Sequence, residues 1–168
     1  KYMRKNKKRN HQKHPVPNHK YKDRLFRLVF NNKRDLLDLY NALNNTCYEN
    51  PNDLEVNTLE DAVYLSMKND ISFLIGGTLN LYEHQSTYNP NMPLRGLIYL
   101  ARLYDGYVET ENINLYSSTL KKLPIPQYFV FYNGTKEQPD ETILRLTDAF
   151  ESVSDNRQPC LQCTAVML

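Results

Sequence analysis

Residues 70–85 read DISFLIGGTLNLYEHQ, and this stretch decides the fold. Two apolar runs of strand length flank Gly76-Gly77. A Gly-Gly pair between such runs predicts a β-hairpin, because both turn positions can take φ > 0 without steric cost. Counting back from a two-residue turn along both strands pairs Asp70 with Glu83. The hairpin therefore predicts two carboxylates facing each other, about 5 Å apart at their Cβ atoms.

Opposed carboxylates repel each other unless a positive charge lies between them. A divalent cation is the natural candidate, since carboxylate oxygens suit Mg²⁺ or Mn²⁺. Gln85 lies two residues after Glu83, so the two side chains share one strand face and continue an apolar row in which burial of polar groups is costly. The alternative from the pattern alone is a frayed strand end in water.

Two regions carry apolar residues at helical spacing. The first runs from about Tyr21 to Asn44 and forms either two short helices or one kinked helix. The second runs from about Leu94 to Tyr107, after a Pro-rich break. Its predicted buried face consists of Leu97, Ile98, Ala101 and Tyr104.

Strand patterns lie on both sides of the hairpin. Residues 62–67 suit a strand before it, which would make a three-strand antiparallel meander. Residues 128–132 suit a buried strand, and the second helix can serve as the crossover that returns this strand alongside the hairpin. Residues 143–146 and 161–168 are candidates for further strands. The predicted class is α/β, with a mixed sheet in the order helix, three strands, helix, strand.

Charge is distributed very unevenly along the 168 residues. Residues 1–34 carry 13 Lys or Arg against one acid, a net of +12, whereas residues 35–168 carry 8 against 18 acids, a net of −10. We expect residues 1–20, with eight Lys or Arg and no acid, to be a disordered arm, and residues 21–168 to be one domain. The arm is either a phosphate-binding segment or a solvated tail without a partner.

Cysteine usage and hydropathy indicate a cytoplasmic protein. Three cysteines, Cys47, Cys160 and Cys163, exclude a fully paired disulfide framework and read as reduced thiols. Cys160 and Cys163 lie in a strand-like stretch, and no second pair completes a zinc site. No run approaches the ~20 apolar residues that span a bilayer. The chain opens without Met and ends on the apolar residues 165–168, which indicates a fragment cut inside a strand.

Five segments, taken in this order, resemble the PD-(D/E)XK nuclease superfamily, and within it the recombination-promoting nuclease and putative transposase family. They are DRLF at 23–26, NDISF at 69–73, YEHQST at 82–87, NMPLR at 91–95 and VFYNG at 130–134. The resemblance covers roughly residues 21–168. It implies a restriction-endonuclease-like core, truncated at its carboxyl end.

By position, Asp70 and Glu83 match the family's metal ligands, and the resemblance makes the backbone carbonyl of His84 the third protein ligand. The superfamily's usual Lys is replaced by Gln85, a departure that this family shares. Gln carries no positive charge, but it can orient a water by hydrogen bonds. The implied reaction is hydrolysis of DNA phosphodiester bonds with Mg²⁺ (or Mn²⁺), leaving a 5′-phosphate and a 3′-hydroxyl.

Three further residues match supporting positions of the family. Asp23 could support the metal through water, or it could simply cap a helix. Arg95 could hold a phosphate, and its alternative role is a surface ion pair. Tyr99 lies one helical turn after Arg95 on the same side, where a Tyr is more often part of the core.

The resemblance also implies a cytoplasmic bacterial protein that binds DNA and is linked to recombination or mobile elements, with a homodimer as a candidate assembly. Three function classes stay open: an active endonuclease, a DNA-binding module that has lost catalysis, and a protein-interaction domain. The set Asp70, Glu83 and Gln85 favours the first class. The missing Lys and the truncated end favour the second, and the acidic body could serve the third.

Overall fold

The computed structural model describes residues 30, 32–57, 70–151 and 158–168. Within these ranges, two helices pack on one six-stranded mixed sheet, which confirms the predicted α/β class. The helices are α1 (Lys33–Asn44) and α2 (Met92–Thr110). The strands are β1 (Glu55–Asn57), β2 (Asp70–Ile75), β3 (Thr78–Gln85), β4 (Ile125–Tyr132), β5 (Thr142–Arg145) and β6 (Thr164–Met167), with 3₁₀ turns at Pro51–Asp53 and Leu146–Ala149.

The sheet has the strand order β1-β2-β3-β4-β6-β5. Strands β1, β2 and β3 are antiparallel neighbours, β4 runs parallel to β3, and β6 runs parallel to β4. At the far edge, β5 is antiparallel to β6. Helix α2 connects β3 to β4, so the predicted crossover between parallel strands is confirmed.

The hairpin register follows the prediction. Gly76 and Gly77 have φ of +56° and +79°, the left-handed conformations that a tight two-residue turn requires. Asp70 is the Cα partner of Glu83, as counted from the turn. Register is so well specified here because a shift of one residue would turn every side chain of the strand to the other sheet face.

Strand β3 lies at the centre of the sheet and is covered on both faces. Leu79 and Leu81 face α2, where they pack with residues such as Leu103 and Val130. Tyr82 faces the other way and packs with Phe73 and α1, whose buried side chains are Leu36, Leu37 and Tyr40. The two cores hold β3 rigidly between them, which fixes the positions of the polar residues at its end.

Helix α1 is capped by an Asn residue at each end. The side chain of Asn32 caps the amino end by accepting a hydrogen bond from Arg34 N. Asn45 adopts the left-handed conformation with φ of 52°, and its N–H donates to Asn41 O. The predicted end of the helical region at Asn44 is therefore confirmed.

The predicted buried face of α2 is wrong by a rotation about the helix axis. Ile98 and Ala101 are exposed, and Leu97 and Tyr104 are only half-buried. The face on the sheet instead consists of Gly96, Tyr99, Leu100 and Leu103. Apolar spacing alone missed it because Gly96, which lies against the ring of Tyr128, has no side chain to contribute to the pattern. The helix also begins earlier than predicted, at Met92, since Pro93 suits a first turn.

The strand predictions hold for most segments, with shifted ends. The prediction for 62–67 lies outside the described residues, and β1 pairs with β2 from a segment where the pattern predicts no strand. Strand β4 starts three residues early, at Ile125, whose N–H donates to Gly77 O. Strand β6 begins only at Thr164, so Cys160 and Cys163 precede it and do not lie within it. Both thiols are free, as is that of Cys47.

Other sequence predictions fall on residues that the structure does not describe. These are the arm at 1–20, the helical segment before Phe30, and Asp23. Within the described ranges, no helix is long and apolar enough to cross a membrane.

Candidate metal centre

The hairpin places Asp70 and Glu83 on one face of the sheet, the face covered by α2. Asp70 is the first residue of β2, and directly opposed residues of antiparallel strands point to the same side. Glu83 is fully buried, with 0% of its surface exposed, and Asp70 is partly buried. The alternative of a frayed strand end in water is therefore wrong.

Glu83 accepts hydrogen bonds on both carboxylate oxygens. Its Oε1 accepts from Gln85 Nε2 at 2.7 Å and forms an ion pair with Arg95 Nη2 at 2.5 Å. Its Oε2 accepts from the Tyr128 hydroxyl at 2.5 Å. A buried carboxylate needs such partners, because desolvation of an unpaired charge costs several kcal/mol. The protein thus supplies its own cation to this carboxylate.

Arg95 reaches Glu83 from the first turn of α2. Its Nη2 also donates to the Tyr99 hydroxyl at 3.3 Å, and its guanidinium carbon lies 5.7 Å from the centre of the Tyr99 ring. Burial acts to lower the pKa of Arg95, but the bond to Tyr99 and the charge of Glu83 outweigh it, so the pKa is raised. The ion pair is not a surface pair, since one partner is fully buried. Tyr99 is 3% exposed, so it is part of the hydrophobic core and also contacts Arg95.

Asp70 ionises less readily than a normal aspartate. Burial raises its pKa from 3.8 to about 7, the negative charge of Glu83 adds to that rise, and the charge of Arg95 opposes it. Among the described residues, these two acids share the guanidinium of Arg95, and Asp70 is the one left short of positive charge. A cation bound beside Asp70 would favour its ionised form and release its proton.

The His84 backbone carbonyl points toward the Asp70 side of β3. The next carbonyl along, that of Gln85, accepts from Asn133 N on the β4 side. Successive peptide groups of a strand point to opposite edges, so the His84 carbonyl is directed toward β2. The imidazole is buried and, by alternation, lies on the opposite sheet face from Glu83.

These donors fit a hard divalent cation. A carboxylate has about four lone-pair positions, and donors from the described residues take three of those on Glu83. Asp70, the remaining position on Glu83 and the His84 carbonyl would offer such an ion oxygen donors only. Mg²⁺ is commonly held by one or two carboxylates while it keeps several waters. The described residues bring together no group of three or more His, Cys, Asp or Glu side chains, so a cage built from side chains alone is not formed.

Tyr128 belongs to the site, although the sequence indicated only a buried strand there. It is the Cα partner of Leu81 in the parallel pair β3–β4, and its hydroxyl reaches along the sheet to Glu83. Burial, followed by the charge of Glu83, raises the pKa of Tyr128, so it stays a neutral donor. Its place in the site depends on the parallel register between β3 and β4, and no local sequence pattern specifies that register.

Gly96 makes room for the Tyr128 ring. A Cβ at this position would lie 2.4 Å from two ring carbons, Cδ1 and Cε1. We expect Gly96→Ala to displace the ring, weaken its bond to Glu83 and cost about 1–3 kcal/mol of folding free energy. Urea denaturation measures this cost directly.

Gly106 provides the matched control on the same helix. Nothing lies within 4 Å of a Cβ built there. Gly106→Ala should therefore stabilise the protein by roughly 0.5–1 kcal/mol through helix propensity alone. If Gly96→Ala proves as stable as Gly106→Ala, then the close approach of Tyr128 to α2 has no energetic role.

Comparisons with protein-family models, with curated proteins and with solved structures found no match. The geometry around Glu83 is therefore the observation on which a proposal for function can rest.

Proposed function

We propose that this protein is a metal-dependent endonuclease that hydrolyses DNA phosphodiester bonds on a restriction-endonuclease-like core. The observation that carries the proposal is the pairing of Asp70 with a fully buried Glu83, with Gln85 bonded to the same carboxylate. Burying two acids side by side is unfavourable, and carboxylates with strongly perturbed pKa values, such as Asp70, cluster at functional sites.

Asp70, Glu83 and the His84 carbonyl would hold Mg²⁺ or Mn²⁺. When bound, such an ion lowers the pKa of a water and neutralises charge on a phosphate. Gln85 gives one N–H to Glu83, which fixes its amide and leaves its side-chain carbonyl oxygen to accept from a water. Tyr128 and Gln85 both donate to Glu83, so the orientation of this carboxylate does not depend on substrate.

A second candidate function is a non-catalytic module on the same fold that binds DNA or protein. One observation favours it: Arg95 already neutralises Glu83, so the fold needs no metal to tolerate that buried charge. Gln85 in place of a Lys points the same way, since it supplies no positive charge to a developing hydroxide.

Nicking of supercoiled plasmid separates the two functions. The full chain is incubated with plasmid in Mg²⁺, in Mn²⁺ and in EDTA. An endonuclease yields open circles only with a divalent ion, and product ends that carry a 5′-phosphate are ligatable. If the folded protein nicks no plasmid in either metal, the endonuclease proposal is wrong and the non-catalytic module is favoured.

The basic arm is expected to supply most of the attraction to DNA, because residues 35–168 have a net charge of −10. Deletion of residues 1–20 should weaken binding to all sequences alike, since phosphate contacts carry no base information. The slope of log affinity against log salt should become shallower, by about one unit for each phosphate that the arm neutralises. A salt titration of both chains measures this. Equal slopes would make the arm a solvated tail.

A further inference from the structure

We propose that Arg95 is an exchangeable counter-ion, which neutralises Glu83 in the metal-free protein and turns to a DNA phosphate once a divalent cation binds. This inference rests on the proposed metal-dependent function and concerns the regulation of the same site. It makes phosphate capture conditional on metal.

Arg95 and a metal ion compete for one carboxylate. Glu83 is fully buried, so its charge must be balanced at all times. Its Oε1 already accepts from two donors, Gln85 and Arg95, which fills that oxygen. The donor on Oε2, Tyr128, is neutral and offers no counter-charge. A cation that takes up the charge of Glu83 removes the electrostatic reason for Arg95 to stay.

Arg95 is also placed to leave. Its side chain is 35% exposed, unlike that of Glu83, and it projects from the first turn of α2. A guanidinium has five N–H donors in a planar fork that matches a phosphate. The Tyr99 hydroxyl and ring contact the guanidinium in the position from which it pairs with Glu83, so they favour the metal-free arrangement.

The charges of the site explain what the exchange achieves. With no metal, Arg95 and Glu83 cancel each other. With a divalent ion, the charges of Asp70 and Glu83 are matched by the ion, and Arg95 is left as a net positive charge. Residues 35–168 carry a net charge of −10, so binding of the ion adds local positive charge to an acidic body. A phosphate is then attracted to the metal-loaded site and not to the empty one.

The test measures metal affinity, without reference to cleavage. Calorimetric titration with Mn²⁺ compares wild type with Arg95→Met, Tyr99→Phe and, as the control, Arg102→Met, which removes an exposed Arg from the same helix. Arg95→Met should bind Mn²⁺ more tightly by roughly tenfold to a hundredfold, the factor that a hydrogen bond between charged groups is worth. Tyr99→Phe keeps all charges, is mild enough to fold, and should tighten binding severalfold. Arg102→Met should match wild type.

A second measurement, of DNA binding, tests whether Arg95 turns to a phosphate once the metal is bound. Anisotropy of a short duplex is measured in EDTA and in Ca²⁺, an oxygen-ligated ion of the same charge. Wild type should gain affinity with Ca²⁺, and Arg95→Met should gain far less.

The outcomes distinguish a failure of the exchange from a failure of the proposed metal-dependent function. If wild type binds Mn²⁺ and nicks DNA, but neither Arg95→Met nor Tyr99→Phe binds the metal more tightly, Arg95 is a fixed structural partner and the exchange is wrong. If neither wild type nor any variant binds Mn²⁺, the metal-dependent function itself is wrong and the exchange falls with it.

Discussion

Asp70→Asn is expected to abolish divalent-dependent DNA nicking and, at pH 8, to make the metal-free protein more stable than wild type. The loss of activity follows from the proposed function, because an amide replaces a carboxylate that would bind the metal. The gain in stability follows from the raised pKa of Asp70, about 7 against 3.8. The folded protein binds the Asp70 proton more tightly than the unfolded chain does, which adds to the free energy of unfolding. This contribution is complete below about pH 4 and is lost as the pH rises through 7.

Asn at position 70 does not titrate, so the difference between variant and wild type should grow across that window. At pH 8 it should reach on the order of 2–4 kcal/mol. Urea denaturation of both proteins at pH 4, 6 and 8, in EDTA, measures it. Addition of Mn²⁺ should stabilise wild type and not the variant. If the difference in free energy of unfolding between wild type and Asp70→Asn is the same at pH 4 and pH 8, Asp70 does not lie in a desolvated site.

Arg95→Met is expected to be the most destabilising single change at the site. It leaves Glu83 fully buried and without its counter-charge, which typically costs about 3–5 kcal/mol. Glu83→Gln should cost less, because Arg95 is 35% exposed and can turn to water when the carboxylate is removed. The double variant, Glu83→Gln with Arg95→Met, should be more stable than Arg95→Met alone.

A double-mutant cycle by chemical denaturation at pH 7 isolates this coupling. Arg102→Met again controls for loss of an Arg from α2. A cost below ~1 kcal/mol for Arg95→Met would place the pair among the weak ion pairs of protein surfaces. That result would mean that solvent reaches Glu83 despite its buried position.

Much of the central fold was already determined by the sequence. Gly76-Gly77 sets the turn, the turn sets the register, and the register places Asp70 opposite Glu83, so this longer-range pairing follows from local chemistry. The length and spacing of apolar residues likewise determined α1 and the crossover through α2. These features are predictable because tight turns and helix periodicity act over only a few residues.

The partners of Glu83 could not be predicted in the same way. Arg95 comes from a helix and Tyr128 from a parallel strand, and their meeting at Glu83 depends on how α2 is rotated against the sheet. The apolar pattern predicted the wrong face of α2, because the decisive contact is Gly96 against the ring of Tyr128, and a glycine contributes no hydrophobic signal.

The sequence by itself therefore determined that two acids and a glutamine share one face of a hairpin, since backbone geometry enforces that pairing. Only the tertiary structure decided that Glu83 is fully buried, and that a guanidinium and a phenol hold it there. Packing between distant segments sets burial, and burial sets which charges must be paired. Whether the acids repel, bind a metal or bind Arg95 is a property of that packing, which the local pattern does not contain.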